Sequence, residues 1–148
     1  MPTYTVMTAN LSLSAAQKAQ IAEAITTAHH AATGAPAFFA QVIFSAIQNG
    51  EHFIGGKLNE HPHVFVSGII RAGRSLDVKQ RLLTDAAAKV QAIAGVGAED
   101  VWFYIQDMDA PQMIEFGRLL PVPGAEAEWR KAITPEKQAQ LSRAGVKI

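Results

Sequence analysis

The chain contains no cysteine, which excludes a disulfide framework and thiolate chemistry. It also has no net charge, because thirteen Lys and Arg balance thirteen Asp and Glu. Such a chain sets up no global field to draw it to nucleic acid or a membrane surface, so any anion site must come from a local cluster. No run reads as a transmembrane span, and the first ten residues carry no basic stretch followed by a long apolar one. Neither nucleic acid nor membrane is therefore an expected partner, and the expected location is the cytoplasm. Several catalytic signatures are missing as well. There is no GxSxG and no P-loop, and Gly95-Val96-Gly97 lacks the third glycine and the preceding strand of a dinucleotide fingerprint. "EHPH" at 60–63, with His52, has no settled third ligand and reads as polar loop, so no metal is expected. What the chain does have is length and apolar content. Its 148 residues are 49% hydrophobic, enough for one domain, residues 1–148, with a real core.

Punctuation along the chain predicts a duplicated β-α-β unit. Residues 2 to 8 read as a strand. Ser14 and Gln17 form a capping box that opens a helix to about Ala32, and Gly34 and Pro36 stop it. "FFAQVIFSAI" (38–47) is the next strand, and "HVFVSGII" (63–70) the third. Ser75 caps a second helix to about Ile93, ended by Gly95 and Gly97, and "VWFYIQDM" (101–108) is the fourth strand. A shift of 61 residues lays Ser14 on Ser75, Gly34 on Gly95 and the first strand on "HVFVSGIIR". The expected fold is thus α+β: βαβ repeats at about 2–47 and 63–108, right-handed crossovers, one four-stranded sheet and both helices on one face. "QVIF", "VFV" and "VWFYI" are apolar on both faces, whereas two helices cover only one. The other face is expected to be buried in a homo-oligomer. Residues 109–148 form a C-terminal arm rich in Pro and Gly, with a last short helix opened by Thr134-Pro135 and a polar tail packed on the surface or on a neighbour.

A few residues stand out chemically. Pro2 either starts an edge strand, where a missing N–H costs nothing, or, with Met1 removed, supplies a secondary amine at a strand tip. The first helix carries an apolar stripe of Ile21, Ile25, Ala28 and Ala32. This puts His29 at the stripe's edge, pointing between helix and sheet, and His30 toward water. His29 is either an edge histidine bonded to a neighbour or a site residue. In "RAGRS" (71–75), Arg71 ends a strand and Arg74 precedes a helix cap. Two guanidiniums there are either solvated or a carboxylate site. Antiparallel pairing of the first and third strands would bring Pro2 beside both arginines. Tyr104 lies in the fourth strand as core, interface or site material. Glu115 is a lone acid among Met113, Ile114 and Phe116, facing either solvent or a semi-apolar site.

In combination, Pro2, the duplicated βαβ unit, "AITTAH", "RAGRS", "VWFYI" and "MIEFGRLLPVPG" resemble the tautomerase superfamily, and within it the cis-3-chloroacrylic acid dehalogenase group. The resemblance spans residues 2 to about 130. It departs at Phe116, where the dehalogenase has a tyrosine, and it leaves 48–63 unaligned and 131–148 without a motif. It implies that Pro2, Tyr104 and Glu115 are catalytic, that His29, Arg71 and Arg74 hold a substrate carboxylate, and that no metal or organic cofactor is needed. It also implies a trimer. The implied reaction adds water at C3 of a small unsaturated acid, with protonated Pro2 delivering a proton to C2. A neutral Pro2 would instead act as base and ketonise enols such as phenylenolpyruvate, since an α-amino group's reference pKa of about 7.7–8.0 allows either regime. A reading of another class is a non-catalytic oligomeric module that keeps an anion pocket.

Overall fold

The computed structural model describes residues 2–148; the expected removal of Met1 concerns a residue outside these. The elements in chain order are β1 (Thr3–Ala9), α1 (Ala15–Thr33), β2 (Gln41–Ala46), β3 (Phe53–Ile54), β4 (Lys57–Leu58), β5 (His63–Arg71), α2 (Leu76–Ala94), β6 (Val101–Met108), β7 (Ile114–Glu115), β8 (Arg118–Leu119), α3 (Glu126–Lys131) and α4 (Pro135–Arg143). Both long helices begin and end as their punctuation requires. Ser14 accepts from Gln17 N–H while the Gln17 side chain returns to the Ser14 backbone, and Ser75 accepts from Val78 N–H. Gly34 (φ 69°) and Gly95 (φ 72°) close the two helices in the left-handed conformation.

The main sheet runs β2-β1-β5-β6, with β1 antiparallel to β5 and each outer strand parallel to its inner neighbour. β1 is therefore an inner strand, which overturns the edge-strand explanation of Pro2. Pro2 precedes β1 and its carbonyl accepts from Gln41 N–H (2.9 Å), so the first bond to β2 is made from the proline itself. Tyr4, Val6, Val64, Val66 and Ile70 face the helices and meet Ile21, Ile25 and Val90 in a fully enclosed core. The 61-residue overlay holds for the helices and for the outer strands, where Val42 and Phe44 fall on Phe103 and Ile105 and all four pack against the core, but it fails for β1 on β5. Even-numbered residues face the helices in both β1 and β5, and side chains alternate with period two, so an odd shift would turn every β1 residue to the wrong face. By their pairing with the outer strands, Thr3 with Gln41 and Phe65 with Trp102, β1 and β5 match at a shift of 62, so the β5–α2 connection is one residue shorter than the β1–α1 connection.

Two other expectations need correction. The second strand begins at Gln41, not at 38: after Pro36, residues Ala37–Phe39 make one 3₁₀ turn that buries Phe38 and Phe39. The tail does pack on the protein, but through the apolar Val146 and Ile148, and the arm before it builds a core of its own. Trp129, Ile133, Leu120, Met113 and Ala110 join Phe38 and Phe39 in a second core, with Val146 and Ile148 packed against it and Ile69 and Met108 as its floor. The arm thus roofs one end of the sheet face that the long helices leave open. Beyond the roof that face stays bare: Ile43, Trp102 and Tyr104 are exposed. Among the described residues, no helix is long and apolar enough to cross a membrane.

Candidate active site

The antiparallel register sets Thr3 opposite Ile69, which brings the residue before β1 to the end of β5. There Pro2, His29, Ala35, Arg71, Arg74 and Glu126 enclose a chamber of only about 10 Å³, room for roughly one water. Four of the six expected site residues therefore meet, each delivered by a different feature: a strand start, the last turns of α1, a strand end and the residue before an N-cap. His29 is buried, and its Nδ1 lies 2.7 Å from the Tyr4 hydroxyl. Burial, and after it the positive charge of Arg74, lowers the His29 pKa to about 4, so the ring is neutral at physiological pH. His30 faces outward as its helical position requires, with Nδ1 donating to the Ala35 carbonyl at 2.7 Å.

The two arginines differ. Arg71 is buried, and its fork is already engaged: Nη1 donates to the Pro121 carbonyl (2.9 Å) and Nη2 to Glu126 Oε1. Arg74 is half-buried and donates through Nη1 to the Arg71 carbonyl (3.1 Å), which ties one guanidinium to the other's backbone. Burial and the neighbouring Arg71 lower the Arg74 pKa, but a guanidinium keeps its charge at neutral pH. Glu126, which the sequence reading overlooked, is held at both oxygens, by Arg71 and by Gly124 N–H (2.8 Å). Burial pushes its pKa up, but the hydrogen bonds from Arg71 and from backbone outweigh this and leave it below the ordinary value. Glu126 also separates the chamber from an outer groove of about 280 Å³ lined by Thr33, Ala35, Arg74 and Arg130.

Glu115 and Tyr104 lie elsewhere. Glu115, half-buried in β7, lines a large cleft of about 1350 Å³ under the arm, together with Phe38, Phe39, Gln41, Ile69 and Thr3. Thr3 and Gln41 are respectively Pro2's chain neighbour and its backbone partner, so the cleft reaches the residues next to Pro2. Tyr104 is 57% exposed on the open sheet face, edge-on to Phe65 at 5.0 Å. It pairs with Ser67, whereas Met108 pairs with Arg71. Four residues of strand, about 13 Å at strand rise, separate Tyr104 from the chamber level. His52 and His63 stack on one another at 4.7 Å and His63 meets Trp102 edge-on. Among the described residues, no three metal-type side chains converge.

Residues 1–134 match the family model described as putative oxalocrotonate tautomerase enzyme. Among solved structures, N1, a member of the cis-3-chloroacrylic acid dehalogenase family, is 32% identical, with TM-score 0.85 over 95% of this chain and 99% of that one. A fused 4-OT, solved as a wild-type symmetric trimer, is 20% identical with TM-score 0.72 over 80% of this chain and 94% of its own. The macrophage migration inhibitory factor of Toxoplasma gondii is 16% identical with TM-score 0.67 over 80% and 99%; these last two likenesses concern fold alone. A search of curated proteins returned no match.

Proposed function

This chain belongs to the tautomerase superfamily, and we propose that within it the protein is a cofactor-independent hydratase and dehalogenase of small unsaturated carboxylic acids of the cis-3-haloacrylate kind. The observation that carries the reading is the chamber at the start of β1, where Pro2 meets two guanidiniums and a neutral histidine. Arg74, His29 and, once Glu126 releases it, Arg71 hold the substrate carboxylate. The acid's C2–C3 double bond then lies over Pro2. Glu115 approaches from the cleft and takes a proton from water, whose oxygen bonds to C3. Protonated Pro2 gives its proton to C2. With a halide on C3 the product is a halohydrin, which loses HX to give malonate semialdehyde.

Tyr104 has a part in this scheme only if it is contributed by a second copy, because its own chain's chamber lies beyond the sheet end. The bare face with Ile43, Trp102 and Tyr104 is the surface on which such a copy would dock, and a homotrimer is the assembly we propose, with the fused 4-OT trimer as its fold-level precedent. Cytoplasmic action on a small carboxylate belongs to the same proposal.

The charge in the chamber favours one further reading. Two guanidiniums, with Glu126, the one lining carboxylate among the described residues, already bound to Arg71, oppose protonation of the Pro2 amine. A neutral Pro2 would be a base, and the protein an enol–keto tautomerase acting on phenylenolpyruvate-like acids. NMR product analysis with cis-3-chloroacrylate, an acetylenic acid and phenylenolpyruvate decides between them. Malonate semialdehyde from the first two acids supports water addition. Ketonisation alone supports the base, and turnover of none would mark an anion-binding module without chemistry.

A further inference from the structure

The phenol beneath His29 takes part in no step above. Tyr4 is wholly buried on the helix-facing side of β1. Its ring lies across Gly68, its register partner on β5, so closely that a Cβ there would stand 2.5 Å from Cε1. Phe103 packs edge-on at 5.8 Å and His29 edge-on at 5.9 Å. This packing fixes the hydroxyl, and its partner is His29 Nδ1 at 2.7 Å.

A phenol carries one proton and a neutral imidazole carries one. Burial keeps the Tyr4 proton on oxygen by raising its pKa, against the opposing pull of Arg74. Were the histidine proton on Nδ1, it would donate to the phenol oxygen, and the Tyr4 proton would be buried with no acceptor among the described residues, an arrangement proteins avoid. The phenol therefore donates, Nδ1 accepts, and the ring's proton sits on Nε2. Among the described residues no fully buried side-chain nitrogen or oxygen lacks a partner. Nε2 has no protein partner there, so it is not sealed in, and the space the ring lines is the chamber.

We propose that Tyr4 is a positioning residue: it locks His29 as the Nε2–H tautomer and aims that N–H at the substrate carboxylate. The inference rests on the reading of the chamber as a carboxylate site. Its chemical consequence is a donor without charge. A cationic histidine would add a third positive group to Arg71 and Arg74 and further oppose the protonated Pro2 that water addition needs. The locked neutral ring adds a hydrogen bond and no such penalty.

The test uses 15N-histidine NMR on the whole protein at pH 7, with propionate as a non-reacting carboxylate probe. In the wild type His29 should show a protonated Nε2 and a bare Nδ1. In Tyr4→Phe, which keeps the ring and removes the donor, the tautomer should become mixed. Propionate affinity should then fall roughly 3- to 10-fold, about what one net hydrogen bond contributes, with KM rising by a similar factor and kcat nearly unchanged. An Nδ1–H tautomer in the wild type overturns the proposal without needing any variant, as does a Tyr4→Phe protein with unchanged tautomer and unchanged propionate affinity. If the tautomer behaves as expected but propionate binds neither protein, the lock stands and the carboxylate reading of the chamber is what fails.

Discussion

The two βαβ units build two related sheet ends, and among the described residues only one of them brings arginines into the interior. Advance α1 by 61 residues and His29 becomes Val90; step back from Arg74 by 61 and it becomes Leu13. Val90 is wholly buried and Leu13 packs against the same core, whereas His29 and Arg74 line a chamber. The caps, helix lengths and strand pairings are the same at both ends. The fold thus tolerates a cluster of cations at one end because it supplies what they need there: a buried phenol for the histidine, a carbonyl and Glu126 for Arg71, and the Arg71 carbonyl for Arg74. At the other end apolar packing does the same structural job. The scaffold does not require polar residues at this end, which is what the proposed chemistry would explain.

Substitutions at the two ends should separate chemistry from stability. The largest effects belong to the polar end. Pro2→Ala should lower turnover by about 10²–10⁴-fold, the range of a positioned acid or base, with little change in melting temperature. Val90→Ala, at the position matching His29, should do the reverse: roughly 2 kcal/mol of stability lost to a cavity, with activity per folded molecule intact. Glu115→Gln keeps shape and removes the base, so water addition should fall by about 10²–10⁴-fold. Ketonisation of phenylenolpyruvate, which needs Pro2 but no water, should fall far less. Equal losses in both would mean that Glu115 acts through structure.

The arginines sharpen the contrast within the polar end. Arg74→Ala should raise KM and cost about 2 kcal/mol in kcat/KM, the low end of the range for truncating a paired charge, because the side chain is only half-buried. Arg71→Ala should also lower the melting temperature, since it strips Glu126 and the Pro121 carbonyl of their partner and loosens the arm from the sheet. Kinetics and thermal melts of the two variants side by side check this.

A pH slope tests the same end without kinetics. Burial, then Arg74, depresses the His29 pKa to about 4 in the folded protein, against about 6.5 in an unfolded chain. Between those values the unfolded state binds the extra proton, so stability should fall as pH drops from about 6.5 to 4. His29→Gln should flatten that limb. Glu126 has a depressed pKa too, so its contribution is present above the ordinary carboxyl pKa and is lost only as pH falls below it. Melting curves from pH 7 to 3 for wild type, His29→Gln and Glu126→Gln resolve the two.

The comparison also explains what was legible in the sequence. Ser14, Gln17, Gly34, Ser75 and Gly95 act locally, through their own backbone, and their spacing marks both helices to within a residue or two. The strand pairing that brings Pro2 to Arg71 follows from the duplication. Tyr4 and Glu126 were not legible because their importance depends on long-range partners. Tyr4 is one apolar-facing residue of a strand until β5 offers a glycine opposite it and α1 brings His29 over it. Glu126 is one acid among several in a Pro- and Gly-rich arm until the arm folds back over the sheet. Gly68 was the available signal for Tyr4, a glycine inside a β-branched strand where a ring crosses. The buried Trp129 and Ile133 had a comparable one, apolar residues in a tail otherwise polar.

The central claim is that the polar end works through a free Pro2 amine facing a carboxylate site. An alkylating haloacid, followed by intact-mass and peptide-level mass spectrometry, tests it most directly. The account predicts a protein mass lacking Met1, one label on the Pro2 nitrogen, protection by propionate and much slower labelling of Arg74→Ala. A retained Met1 in active protein, or a label that falls on another residue at the same rate with and without propionate, would contradict it.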